Sequence, residues 1–301
     1  MADSDFEIID DRFKSCVKTS AQVEKIAEGS RWAEGPAYFP AGRYLVWSDI
    51  PNDRILRWDE TTGTTGVFRH SANYTNGHTV DRQGRLISCE HGGRRVSRTE
   101  HDGSITVIAD RYQGQRLNSP NDVVVHSDGS IWFTDPPYGI ESDYEGHRAD
   151  IEIDGNNVYR VDPSSGACEI VADDFDRPNG LAFSPDETRL YIADTGSSVN
   201  PRHIRVFDVS DDGKLTGGDV FATCTVGAFD GFRCDDAGRI WTSAGDGVHC
   251  IDSDGALIGK VYVPERVANV VFGGPKRNRL FICATTAIYS VLLPVNGAKT
   301  F

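Results

Sequence analysis

From residue 34 onward the chain is written in short apolar runs of four to six residues, rich in β-branched and aromatic side chains and broken by Gly, Pro, Asp and Asn. Almost no stretch carries apolar residues at a helical period, so the pattern predicts strands joined by tight turns. In the first stretch the runs are Pro36 to Phe39, Tyr44 to Ser48, Arg54 to Trp58 and Thr65 to Phe68, with Pro40-Ala-Gly42 and Pro51-Asn-Asp53 as turn chemistry between them. The second run recurs as Leu86-Ile-Ser, Ile131-Trp-Phe-Thr, Leu190-Tyr-Ile-Ala, Ile240-Trp-Thr-Ser and Leu280-Phe-Ile-Cys. The third recurs as Val158-Tyr-Arg-Val-Asp, Ile204-Arg-Val-Phe-Asp, Val248-His-Cys-Ile-Asp and Ile288-Tyr-Ser-Val.

Each unit opens on a short polar or acidic residue: Glu34, Asn76, Asn121, Asn179, Asp230 and Asn269, spaced by 42, 45, 58, 51 and 39 residues. A period of this size predicts one supersecondary unit copied around an axis. Six copies of four strands make an all-β protein, a six-bladed β-propeller, and residues 1–301 are expected to form that one domain. The last blade runs out of chain after Tyr289, and the run from Gln22 to Ala27 is expected to supply its outer strand and close the ring. Residues 1–19 are left as an N-terminal arm. Residues 139–157 lengthen the third unit with Glu141, Asp143, Glu145, Asp150, Glu152 and Asp154, either a lid over a site or a surface loop. Four of the five tryptophans, Trp47, Trp58, Trp132 and Trp241, fall at strand positions that suit packing between blades, whereas Trp32 precedes Glu34 near a channel mouth.

Charge and cysteine content narrow the function. With 45 acidic against 31 basic side chains the net charge is −14, which disfavours nucleic acid as a partner because phosphates need clustered cations. Seven cysteines without a C-x-x-C pair read as buried, reduced thiols. The N-terminus lacks a secretory signal and no stretch approaches a membrane span, so a cytoplasmic protein acting on a small molecule, without membrane or nucleic-acid partner, is expected. The pattern leaves the oligomeric state open.

In a propeller the innermost strand of every blade lines the central channel, so the six leading residues form a ring of oxygen donors. Hard divalent cations take such ligands, calcium above all, with magnesium, manganese or zinc as alternatives. Asn or Asp before Gly also forms turns, but two carboxylates, Glu34 and Asp230, facing one channel repel each other unless a cation lies between them. The chain has no G-x-S-x-G, H-E-x-x-H, P-loop or G-x-G-x-x-G motif. His78, two residues after Asn76, and His91 are the histidines near the mouth. His78, Asp135 and Tyr138, taken by strand-end position, are expected to wall a substrate pocket with Ser119 and Asn121.

The phrases Glu34-Gly-Pro, Ser119-Pro-Asn-Asp122, Arg177-Pro-Asn-Gly-Leu-Ala-Phe-Ser-Pro-Asp186 and Asp230-Gly resemble the senescence marker protein, gluconolactonase and luciferin-regenerating enzyme family. Cys89-Glu-His-Gly-Gly-Arg-Arg-Val and Phe133-Thr-Asp-Pro-Pro-Tyr-Gly139 are similar to its bacterial gluconolactonase branch. The resemblance covers residues 20 to 295. It implies a single divalent ion held by Glu34, Asn179 and Asp230 with Asn121 close by, and Asp230 as catalytic acid/base. It also implies a metal-dependent hydrolase that opens a sugar lactone by water attack. Where animal members carry a substrate-holding Arg, this chain has Ser119, so the metal site transfers better than the substrate. Hydrolysis of aryl esters or organophosphates by the same ring, and a non-catalytic scaffold, are the alternatives.

Overall fold

The computed structural model describes residues 5–197 and 202–299. Its strands form six antiparallel sheets in chain order, each a blade of the expected propeller, and one two-stranded ribbon, Arg111–Tyr112 with Gln115–Arg116. The innermost strands are Ala33–Phe39, Thr75–Val80, Val123–Val125, Pro178–Phe183, Phe232–Cys234 and Val267–Gly273. In blade 1 the succession continues through Tyr44–Asp49, Arg54–Asp59 and Thr65–His70, within two residues of the limits read from apolar alternation. Burial explains the alternation. Second strands are buried on both faces between neighbouring blades, while outer strands such as Thr65–His70 are mostly open on one face.

Large side chains fill the wedges between blades. Trp47 packs with Tyr38 and Leu45 of blade 1 and Phe281 and Ile288 of blade 6, and Trp132 with Leu181 and Ile192 across blades 3 and 4. Trp241 meets Val270 and Ile282 across blades 5 and 6. The seven cysteines are free thiols, five of them buried.

Closure is non-covalent. Glu24–Glu28 pairs antiparallel with Ala287–Leu292 and becomes the fourth strand of blade 6. The preceding arm has an unexpected place: Phe6–Ile8 adds a fifth strand to blade 5 against Leu257–Tyr262. Asp10 then caps a short 3-10 helix, Asp11–Ser15, through the Arg12 amide. That turn drives Phe13 into the blade 5 core, its ring 6.0 Å from Trp241. Gly259 makes the space, since a Cβ there would lie 2.1 Å from Phe13 Cδ1. No helix among the described residues is long and apolar enough to cross a membrane.

Candidate active site

Five of the six leading residues, Glu34, Asn76, Asn121, Asn179 and Asn269, are buried around the start of the channel, and Asp230 is half-buried. A local device aims them inward. In blades 1, 2, 4 and 6 the register of the innermost strand slips at the leading residue, between Glu34 and Ala37, Thr75 and His78, Pro178 and Leu181, and Val267 and Asn269. Such bulges redirect a side chain out of the ladder. The glycine that follows the leading residue then admits the next blade: a Cβ on Gly35 would lie 1.9 Å from the Asn76 carbonyl oxygen, and one on Gly180 2.3 Å from that of Asp230. Backbone bonds complete the contact, Gly77 N–H to Asn121 O at 2.8 Å and Gly231 N–H to Ala268 O at 2.8 Å. The Xaa-Gly phrase is therefore a blade-to-blade joint, and the ring follows from it.

The six are not equivalent. Asn269 donates its amide to Glu34 Oε2 at 3.1 Å and accepts the Val270 N–H on its oxygen at 2.8 Å, so it orients Glu34. Glu34 Oε2 also accepts the Gly35 N–H at 2.7 Å. Asn179 lies close enough to Asp230 to favour its charged form, and the Asp230 N–H is tied to Ser243 Oγ at 2.9 Å. Burial and the charge of Asp230 hold the Glu34 proton on well above the usual carboxyl range. Asp230 is raised too, by burial first, with Glu145 and Asp122 adding to the shift and Arg266 opposing it. Two carboxyls that each resist ionisation because of burial and a neighbouring negative charge fit a cation between them. Any such ion would depend on amide oxygens as well, because no group of three or more His, Cys, Asp or Glu able to hold a metal occurs among the described residues.

Several expected wall residues are spent elsewhere. His78 is fully buried, with Nε2 at 2.8 Å from Ser48 Oγ and Nδ1 at 2.8 Å from Ser88 Oγ. It ties blades 1 and 2 together and is removed from the substrate wall. Ser119 is also fully buried; its hydroxyl donates to Pro136 O at 2.6 Å and accepts the Gly139 N–H at 2.9 Å, fixing the turn that begins the insertion. Asp135 accepts the Asn118 N–H at 2.8 Å beneath that turn, and burial pushes its carboxyl up to about 7. Ser119 has no group left for a ligand, whereas Asp135 Oδ1 is buried without a hydrogen-bond partner among the described residues. The Tyr138 hydroxyl is buried in the same state, close enough to Asp230 to be pushed up to about 12 by burial and that charge.

Three participants escape sequence reasoning. Arg233 crosses the channel below the ring to Asp122 at 3.2 Å, both buried, giving a carboxylate that acts on both Glu34 and Asp230 its own counter-charge. Asp122 stands where four other blades have glycine. Arg266 lies over Trp32, 5.8 Å from the ring centre, at the mouth. Glu145 comes from the insertion, where no periodicity points to it.

Residues 32–286 match the SMP-30/Gluconolactonase/LRE-like region. The chain belongs to this family, as the propeller and its inward-facing carboxylates already suggested. A gluconolactonase of Zymomonas mobilis is 29% identical, covering 93% of this chain and 83% of its own. The pentonolactonase XacC of Haloferax volcanii is 31% identical, over 88% of this chain and 85% of its own. The structure of a gluconolactonase from Xanthomonas campestris superimposes with a TM-score of 0.91 at 40% identity, over 96% of this chain and 95% of that one.

Proposed function

We propose that the protein is a divalent-metal-dependent lactonase that opens a sugar lactone, with residues 5–299 acting as one catalytic unit in a reducing cytoplasm. The observation that carries the proposal is the confrontation of Glu34 and Asp230 at one channel mouth, each carboxyl resisting ionisation. Gluconolactonase and pentonolactonase relatives covering most of the chain support the reaction class. Free cysteines throughout suit the compartment.

Glu34, Asp230 and Asn179 would hold the ion, with Asn121 beside them, and calcium suits this set of oxygens. The ion would supply polarisation of the lactone carbonyl and stabilisation of the charge that develops on its oxygen. The chain's own groups do the rest. Asp230 takes or relays the proton of the attacking water, with Asn179 fixing the carboxylate that receives it. The unpartnered Tyr138 hydroxyl donates to an oxygen of the substrate, and Asn121 orients a sugar hydroxyl. Exclusion of bulk water by the buried ring strengthens each of these contacts.

A panel of aldonolactones assayed with calcium, magnesium, manganese and zinc, with and without chelator, tests the reading. Turnover should vanish on chelation and return with metal. Asp230→Asn should keep its melting profile and lose at least ~100-fold in kcat. Absence of lactone turnover with every ion sinks the proposal, and full activity in the Asn variant removes the role of Asp230.

A further inference from the structure

The 138–157 insertion is not a free surface loop. It begins with a one-turn helix, Tyr138–Glu141, seated on blade 2: a Cβ on Gly139 would lie 2.4 Å from His91 Cβ, so the turn rests directly on that histidine. The chain then folds back, His147 N–H to Gly139 O at 3.1 Å and Ala149 N–H to Ile140 O at 3.1 Å. Arg177 clamps the outer side, 2.6 Å from Glu141 and over the Tyr138 ring.

His91 joins this segment to the ring. Its Nδ1 lies 3.0 Å from the Glu145 carbonyl oxygen, which can only accept, so Nδ1 carries the proton. Burial keeps the imidazole neutral, lowering its pKa to about 4. Nε2 is then an acceptor and takes the Asn76 amide N–H at 3.3 Å, which leaves the Asn76 oxygen for the channel. One buried side chain thus sets both the position of Glu145 and the orientation of a ring amide. The half-buried Glu145 carboxylate acts through space on Asp230. No salt bridge to it occurs among the described residues, whereas Arg177 is taken by Glu141 and Arg233 by Asp122.

Resting on the lactonase reading above, we infer that Glu145 is a specificity-determining residue which admits neutral polyhydroxylated lactones, accepting a substrate hydroxyl, and turns away lactones that carry a phosphate or sulfonate. With an ion neutralising Glu34 and Asp230, Glu145 is left without a counter-charge on the insertion side of the mouth; burial first and Glu141 second raise its carboxyl to about 7, so the filter it makes strengthens above neutral pH. An anionic substituent directed toward the insertion meets like charge in a partly desolvated site. Along residues 138–157 six carboxylates stand against one arginine, and although Arg177 and Arg94 pair with Glu141 and Glu152, the remaining excess extends the same sign outward.

The test compares kcat/KM for glucono-1,5-lactone and its 6-phosphate in wild type, Glu145→Gln and Glu145→Lys, with metal content and melting temperature recorded. Wild type should favour the neutral lactone, the Gln variant should reduce that preference about tenfold, and the Lys variant should reduce it further. An unchanged ratio in folded, metal-loaded variants overturns the inference while leaving the lactonase reading intact. Should the variants fail to fold, the wild-type preference must shrink between 20 and 500 mM salt, and a salt-independent ratio overturns it equally. If no lactone is turned over, the reaction class fails by itself. Calorimetry with gluconate and 6-phosphogluconate then decides: weaker binding of the phosphate by wild type than by Glu145→Gln supports the filter, and equal affinities, or no binding of either, reject it.

Discussion

His78 shows how a single position changes meaning once its neighbours are known. Near the mouth by sequence, it is a neutral imidazole between two serines, its pKa lowered to about 3 by burial first and by the charge of Arg69. An unfolded histidine titrates near ~6.5, so below that pH the unfolded chain binds a proton that the folded one refuses. The stability due to this group is complete above pH ~6.5 and drains away as the pH falls toward 3, by about 1.4 kcal/mol per unit. The carboxyls of Asp135 and Glu145, both raised to about 7, pull in the opposite sense over the same range. The effect must therefore be read as a difference: the destabilisation caused by His78→Asn should shrink between pH 7 and pH 5, measured by urea unfolding of both proteins. Six polar residues at one repeat position were legible in the sequence, as was the acidity of two of them. Which hydroxyls and amides were already spent was not, because Ser119 and Asn269 are satisfied by groups that only folding brings near.

Strands were the legible elements, since alternation of apolar residues directly reflects burial between blades. The arm was not, because Phe6, Ile8 and Ile9 are too few to define a period. Its anchoring is nonetheless specific. Phe13 is completely buried where Gly259 leaves room for it, and the Asp10 cap sets the angle at which it enters. Phe13→Ala should cost about 3–5 kcal/mol in chemical denaturation, with kcat for the lactone unchanged, because blade 5 presents Asp230 at the opposite end of its sheet from this contact. A variant as stable as wild type would show that the arm only rests on the blade. The insertion was visible as an interruption of the repeat, yet its acidic composition suits a solvated loop equally well. The His91 contact to the Glu145 carbonyl, with Ser119 and Arg177 holding the turn at Tyr138–Glu141, makes it part of the mouth.

Around the whole ring, two seams depend on the first thirty residues: blade 6 takes its outer strand from Glu24–Glu28 and blade 5 its fifth from Phe6–Ile8. Removing residues 1–28 leaves the last blade with three strands and an uncovered edge at Ala287–Leu292. That truncation should lower the melting temperature by at least ~10 °C and promote association of the chains, checked by thermal melts and light scattering. A truncated protein with native melting and a monodisperse profile would contradict the closure. Since Glu34 is held by Asn269 across this same seam, loosening it should also weaken metal retention.

Ring closure by Glu24–Glu28 also has a consequence for biosynthesis. The segment that completes blade 6 leaves the ribosome before any blade is made, whereas its partner, Ala287–Leu292, follows all the other blades. No nascent chain short of that point can seal the circle, so the site at its centre waits until all six blades have been translated.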